Sequence, residues 1–347
     1  MRLRVSPHTL RLRRPWQTAR GEIATRELLA VELTGPDGVS GYGEAAPLQP
    51  YDGVSTARAR EALARYETVL ADRDADRMNG AQLIDACRSV DDLPQALAAI
   101  DMALWDRAGK RMGRPLAALL TDEPADAVQV NATIAALDRQ GASEQAQAAV
   151  QAGYECVKLK VGSGDDAGRV AAVRAAIGPE PALRLDANGA WSVPEAISAI
   201  EALAPAGLEL VEEPTHGLHA IREVREHVST RIAIDETAAE PGALGAGVAD
   251  AVCLKIARCG GISGLLAAAS LVRAAGAEPY LASTLDGPLG VAAALHAAAA
   301  LASRGALPAC GLATLSVFAD LPEPDPLPVR GGRIALPAGP GLGVAPL

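Results

Sequence analysis

The sequence predicts an α/β fold in which a closed parallel barrel carries the chemistry and a smaller α+β domain precedes it. Five short apolar runs each end in a charged residue: VKLK at Lys160, LRLD at Asp186, LELVE at Glu212, IAID at Asp235 and VCLK at Lys255. Successive charged ends are 26, 26, 23 and 20 residues apart (186−160, 212−186, 235−212, 255−235). Each interval holds one helix, two loops and a returning strand, and right-handed βα crossovers of that kind build a parallel sheet. The chain has 347 residues, whereas a barrel of eight such units uses about 250, so a second, smaller domain fits beside it.

The elements follow in order. Residues 1 to about 50 read as β structure: LRVSPHTLRL, then LLAVELTG, a Pro36-Asp37-Gly38 turn, and VSGYGEA. Alternation broken by Gly-containing turns predicts an antiparallel meander. From Ser55 to Arg73 and from Leu93 to Met112 the apolar spacing becomes helical; Asp92 ahead of Leu93-Pro94 reads as a cap before a first-turn proline. Residues 1–122 are therefore taken as the α+β domain. The turn cluster Thr121-Asp122-Glu123-Pro124 ends it, and VQVNATIAA opens the βα series. Strands are predicted near 128–134, 155–161, 182–186, 208–212, 231–235, 251–255, 278–282 and 307–311, with helices near 192–204, 217–228, 262–275 and 288–302. Ser192 and Glu195 form a capping-box pattern. The barrel spans 123–311. The segment 312–347, rich in Pro and Gly, holds one short strand, Gly332 to Leu336, expected to return to the first domain because a closed barrel has no free edge.

Composition narrows the class. Hydrophobic residues make up 49% and charged residues 21%, enough apolar side chain for a globular core. A net charge of −10 argues against nucleic acid as a partner. No apolar run approaches the roughly 20 residues that span a bilayer, so neither a membrane partner nor a leader is expected and residence is read as cytoplasmic. The five cysteines lack CxxC spacing and read as free thiols.

The charged strand ends define the chemistry. Asp186, Glu212 and Asp235, with no His or Cys beside them, would give an all-oxygen site suited to Mg²⁺ or Mn²⁺. Asn188, Glu213 and Glu236 are candidates to hydrogen-bond and orient those ligands. Lysine is a poor base at its ordinary pKa near 10.4, but a neighbouring ammonium and burial lower that value. Lys160 is the expected base and Lys158, two residues earlier on the same strand face, the group that tunes it. Lys255 would approach a metal-held carboxylate substrate from the other side, an arrangement suited to removing a proton next to the carboxylate and stabilising the enediolate.

The segments VKLKVG, LRLDANGAW, LVEEP, AIDE and CLKIARCGGI, with AAIDMALWDRAGKRMGRPL before them and SGYGEAAPL near the start, resemble the enolase superfamily, within its muconate lactonizing enzyme subgroup. The likeness covers nearly the whole chain. It implies a (β/α)₇β TIM-like barrel with an N-terminal α+β capping domain completed by the C-terminal segment. It implies Asp186, Glu212 and Asp235 as Mg²⁺ ligands, Lys160 and Lys255 as the paired lysines, and Lys158 as the first lysine of a KxK motif. It places substrate-binding residues in the capping loops, Arg20 and Tyr51, and in the seventh-strand segment LASTLDGPLG, Ser283, Thr284 and Asp286. Homo-oligomers are frequent in the family, so self-association is a further implied property. The seventh-strand segment and CGLAT after the eighth strand resemble o-succinylbenzoate synthases, which points to dehydration of a cyclohexadiene carboxylate in menaquinone synthesis; dipeptide epimerases, N-acylamino acid racemases and cycloisomerases are the alternatives. Epimerases of the Ala-Glu type commonly carry an Asp-x-Asp motif late in the barrel. Here Asp320, Glu323 and Asp325 are scattered among prolines, which disfavours a dipeptide substrate.

Overall fold

A computed structural model describes residues 1–18, 21–72, 77–322 and 324–347. Strands β1 (Arg2–Thr18), β2 (Gly21–Thr34) and β3 (Ser40–Ala45) form the antiparallel meander, ordered β1-β2-β3. Helices α1 (Gln49–Asp52), α2 (Thr56–Ala71), α3 (Gly80–Val90), α4 (Pro94–Met112) and α5 (Ala117–Leu120) follow. Leu29, Val31 and Leu33 of β2 alternate onto one face and pack with Leu63 and Tyr66 of α2 and Ile100 of α4 in one apolar core. The glycines of Gly41-Tyr42-Gly43 let β3 lie directly on α4: a Cβ at Gly41 would sit 2.0 Å from the Ala103 carbonyl, and one at Gly43 2.0 Å from that of Ala99. The cap of α4 differs from expectation. Leu93 occupies the N-cap position without a side-chain bond and Asp92 is exposed, because Pro94 at the first position already suits the helix start.

The parallel part comprises β4 (Ala127–Gln129), β5 (Ala132–Ile134), α6 (Arg139–Gln151), β6 (Cys156–Lys160), α7 (Asp166–Ile177), β7 (Ala182–Asp186), α8 (Val193–Leu203), β8 (Leu208–Glu212), α9 (Leu218–His227), β9 (Ile232–Ile234), β10 (Ala251–Leu254), α10 (Ile262–Ala274), β11 (Glu278–Leu281) and α11 (Pro288–Ala302). Strands β5 to β11 form one seven-stranded parallel sheet in sequence order. The predicted eighth strand is reduced to single bridges, Val130 with Cys310 and Ala282 with Gly311. These join the two edge strands, with Asn131 N–H donating to Cys310 O at 3.0 Å and Gly311 N–H to Leu281 O at 2.7 Å. The predicted strand 128–134 is split in two, β5 in the barrel and β4 outside it.

The chain ends with β12 (Val329–Arg330) and β13 (Arg333–Ala335). The expected C-terminal strand is present as β13, but it pairs with β4 rather than with the first domain. Contact with that domain is made by neighbouring segments. Phe318 bridges to Leu12, Ala319 N–H donates to Arg11 O, and Leu342 N–H donates to Asp106 Oδ1 of α4 at 2.8 Å. Among the described residues, no helix is long and apolar enough to cross a membrane, and all five cysteines are free.

Candidate active site

Strand register brings the charged ends together. Lys160 pairs with Asp186, and Asp186 with Glu212, at one level of β6, β7 and β8. Asp235 and Lys255 directly follow β9 and β10. Within each run the leucines and valines alternate away from the polar residues, so Arg184 and Asp186 share one face while Leu183 and Leu185 take the other. Burial is nearly complete: Asp186, Glu212 and Asp235 are 1%, 0% and 3% exposed, and Lys158 and Lys255 each 8%. Lys160 is the open member, its side chain 30% exposed.

Lys160 Nζ donates to Asp186 Oδ2 at 2.5 Å and to Asn188 Oδ1 at 2.7 Å. Lys158 Nζ lies one layer deeper, 2.9 Å from the same Asp186 oxygen and 3.0 and 3.1 Å from the two oxygens of Glu212. On the opposite side Lys255 Nζ donates to Asp235 Oδ2 at 2.5 Å and to the Tyr51 hydroxyl at 2.7 Å, and that hydroxyl donates to Asp235 Oδ1 at 2.7 Å. The two lysines therefore reach the acidic group from two sides.

Glu213, Asn188 and Glu236 link these contacts. Glu213 is fully buried and accepts from Asp235 N–H at 2.8 Å and Thr237 N–H at 2.9 Å, fixing the backbone that carries Asp235. Asn188 Nδ2 donates to Glu236 Oε1 at 3.1 Å. Asn188 and Glu213 have φ of 45° and 44°, a left-handed conformation that costs non-glycine residues energy and is retained where the surroundings enforce it.

The electrostatics divide the acids. Burial opposes ionisation of Asp186, but Lys158 and Lys160 outweigh it and hold that carboxyl below its usual range. Asp235 is likewise lowered, burial being outweighed by Lys255 and Arg258. Glu212 goes the other way, raised by burial and by Asp186. Lys158, expected as the group that tunes Lys160, is itself bound by carboxylates: burial pulls its pKa down, yet Asp186 and Glu212 raise it overall. Lys255 is raised in the same way by Asp235. Glu212, Asp235 and the Cys253 thiol offer ligand atoms within 4.8 Å of one another, and Asp186 joins them through the Lys158 ammonium that touches both Asp186 and Glu212. The under-compensated charge at Glu212 and the carboxylate donors around it fit a hard divalent cation.

The remaining predicted residues separate. Tyr51 reaches the site from α1. Ser283 and Thr284 follow β11; Ser283 Oγ accepts from Asp286 N–H at 2.8 Å, and Thr284 Oγ1 donates to Asp286 Oδ1 at 2.7 Å. Asp286 is 1% exposed and turned into the seam with the first domain rather than toward the lysines' acidic partners. Arg20 lies outside the described residues. Sequence reasoning missed Arg258, whose guanidinium donates to the Tyr51 hydroxyl and to the carbonyls of Asp235 at 3.2 Å and Glu236 at 3.0 Å. It also missed Tyr280, whose hydroxyl donates to Glu212 Oε2 at 2.7 Å. Strand parity was the available signal for Tyr280, just as it places Cys253 on the face of Lys255. A cavity of about 1000 Å³ opens beside Tyr51, Glu236, Lys255 and Arg258 and runs between the start of α4 and α10.

Comparison with known proteins agrees with this geometry. Residues 1–121 match the mandelate racemase / muconate lactonizing enzyme N-terminal domain, and residues 141–347 match the enolase C-terminal domain-like family. Muconate cycloisomerase 1 of Rhodococcus opacus is 31% identical, across 95% of this chain and 91% of that protein. An o-succinylbenzoate synthase of Thermobifida fusca is 39% identical, but across 59% of this chain and 66% of that one. The structure of a dipeptide epimerase from Enterococcus faecalis V583, complexed with Mg and the dipeptide L-Leu-L-Tyr, superposes with a TM-score of 0.90 at 28% identity, covering 99% of this chain and 98% of that one. The chain belongs to the enolase superfamily of enzymes, in its muconate lactonizing enzyme subgroup.

Proposed function

We propose that the protein moves a proton on the carbon next to a substrate carboxylate, racemising or epimerising a small N-acylated amino acid or dipeptide. The observation that carries this reading is the two-sided placement of Lys160 and Lys255 about the acidic group. Asp186, Glu212 and Asp235 would hold Mg²⁺, or Mn²⁺. When bound, the ion supplies a positive charge that anchors the substrate carboxylate and favours negative charge developing beside it. Lys160 removes the α-proton from one face and Lys255 returns one to the other; the reverse reaction exchanges their roles. Each step needs one lysine neutral and the other charged. Tyr51 and Arg258 fix the Lys255 ammonium, and Asn188 fixes that of Lys160.

Within this class an N-acyl substrate is favoured over a dipeptide with a free ammonium. Asp320, the first late acid, is committed to Arg11, with contacts of 2.7 to 3.2 Å, and Asp325 Oδ1 accepts from Leu327 N–H. Both carboxylates are engaged within the chain. The whole-chain likeness to a dipeptide epimerase supports two-face proton transfer; the shorter but closer likeness to an o-succinylbenzoate synthase supports a second reading, syn dehydration of a hydroxycyclohexadiene carboxylate using one lysine as base. The two are separated in deuterated water. N-succinylamino acids and dipeptides are incubated with the Mg²⁺-loaded enzyme, and deuterium at the α-carbon is followed by NMR; the cyclohexadiene carboxylate is assayed for an aromatic product. Aromatic product with no α-exchange in any amino acid derivative would overturn the first reading in favour of the second.

A further inference from the structure

The seam between the first domain and the barrel buries charges that the chemistry above does not use. Arg26 of β2 is 2% exposed, and its guanidinium donates to four backbone carbonyls: Ala46 at 2.7 Å, Pro47 at 2.5 Å, Glu27 at 3.2 Å and Thr284 at 3.2 Å. Ala46 and Pro47 lead into α1, the short helix that carries Tyr51, and Thr284 lies in the loop after β11. Arg26 thus ties the two segments together. Glu44 at the end of β3, 3% exposed, accepts from Gly287 N–H at 2.7 Å. Asp286, next to it, has Oδ2 buried with no donor.

The two carboxyl groups share one small space. A methyl group at Gly290 would stand 2.8 Å from Asp286 Cβ and 3.0 Å from Glu44 Oε1, and one at Gly287 would stand 2.3 Å from Glu44 Oε2. Leu285, directly before Asp286, holds φ of 59°, a conformation that persists only under constraint. Two buried carboxylates facing one guanidinium leave a charge uncompensated and an oxygen without a donor; one proton would remedy both.

We propose that Glu44 and Asp286 hold a single proton between them, and that this pair acts with Arg26 as a positioning device setting the Ser283–Asp286 loop against the Tyr51 segment at the mouth of the site. The positioning half rests on the proposed function; the shared proton does not. Burial and the nearby Asp286 push the Glu44 carboxyl up to about 8, and burial raises that of Asp286. The other charged groups acting on the pair are Arg26 from β2 and, on Asp286, Lys255 after β10; Glu27 of β2 and Asp52 of α1 act in turn on Arg26, and the start of α11 faces the pair with Gly287 and Gly290.

The sign of the linkage makes the proton measurable without substrate. Folded Glu44 keeps a proton that the unfolded chain releases near 4.5, so folding stability falls as pH rises from about 4.5 to about 8 and is level above. Melting midpoints of the full chain, Glu44→Gln and Asp286→Asn are measured from pH 5 to 9. The wild type is expected to lose several degrees relative to Glu44→Gln between pH 5 and 8 and to run parallel above. Parallel curves throughout would overturn the shared proton. If Glu44→Gln fails to fold, Asp286→Asn serves in the same comparison, together with the infrared carbonyl band of a protonated carboxyl in the wild type, which must fade between pH 7 and 9.

Positioning is read by amide hydrogen exchange. Glu44→Ala is expected to lose protection at least tenfold in peptides covering 281–290, with Glu44→Gln restoring it; equal protection in all three proteins would overturn that half. Where α-proton exchange of a substrate is found, Glu44→Ala is expected to raise KM about tenfold and leave kcat within about twofold. No exchange with any substrate defeats the proposed function and leaves the melting and protection results standing.

Discussion

The two lysine sides of the site are built differently. Lys160 is 30% exposed on its side chain, and its partners, Asp186 and Asn188, both come from the barrel. Lys255 is 9% exposed on its side chain, and one of its partners, Tyr51, comes from the first domain. Tyr51 in turn takes a bond from Arg258 and gives one to Asp235. Among the described residues, the barrel alone therefore supplies the Lys160 side, whereas the Lys255 side takes a partner from the other domain. If the two lysines act as proposed, each can thus be tuned independently of the other.

The largest effect tests what both sides share. Glu212 touches Lys158 and Tyr280, and its carboxylate lies within 4.8 Å of ligand atoms of Asp235 and Cys253. Glu212→Gln removes a negative charge that would anchor the proposed cation, and activity should fall by about 10³-fold or more, with Mg²⁺ affinity by calorimetry falling alongside. Unchanged Mg²⁺ affinity would remove Glu212 from the ligand set.

The next effect separates the sides. Lys160→Ala and Lys255→Ala should each lower turnover by about 10²- to 10⁴-fold, but with opposite stereochemistry. Each variant should still exchange the α-proton of the one enantiomer served by its remaining lysine, as read by deuterium incorporation into separate D and L substrates. Loss of both exchanges in both variants would show that the lysines act as a unit.

Much of this was legible because strand periodicity is rigid. A charged residue closing an apolar run must stand at the strand end, so Lys160, Asp186, Glu212, Asp235 and Lys255 could be placed together from spacing alone. What stayed hidden depends on contacts between distant segments. The split of 128–134 into β4 and β5 requires knowing that β13 will pair with β4. Arg258 needs the turn after β10 to aim it at Tyr51. Lys158 was read as the group that tunes Lys160; that two carboxylates would stand within 3.1 Å of it depends on proximity across strands, a property of the closed ring. Asp286 was read by motif as a substrate contact; its carboxylate faces the domain seam because Glu44 and Arg26, some 240 residues or more earlier in the chain, occupy that space.

A smaller effect bounds the pH range in which the two sides can be compared. His296 of α11 is fully buried; its Nδ1 accepts from Ala117 N–H, and its Nε2 faces Leu342 O, each at 3.2 Å. Burial pushes its pKa down to about 4. The unfolded histidine takes up a proton near 6.5 that the folded one refuses, so its contribution is intact above about 6.5 and is lost as pH falls toward 4. The loss across that window is about 3 kcal/mol. Urea unfolding at pH 7.5 and pH 5 should show about 2 kcal/mol of that loss in the wild type and not in His296→Gln; equal pH dependence would mean the folded ring takes up its proton as readily as the unfolded one.

The smallest expected effect bears most directly on the asymmetry. Tyr51→Phe keeps the ring stacked beside Lys255, whose ammonium lies 4.1 Å from its centre, and removes only the hydroxyl. Burial and the nearby Asp235 hold that hydroxyl's pKa well above its ordinary value, so it stays a donor to Asp235 while accepting from Lys255. Its loss leaves Asp235 Oδ1 and the Lys255 ammonium each one hydrogen bond short, at a cost of about 1.5 kcal/mol, or roughly tenfold in rate. The change should fall on the enantiomer whose proton Lys255 handles, while exchange through Lys160, which among the described residues has no first-domain hydrogen-bond partner, stays within about twofold. Equal slowing of both enantiomers would mean that Tyr51 serves the shared acidic group rather than one lysine, and the division between a barrel-built side and a cap-completed side would fail.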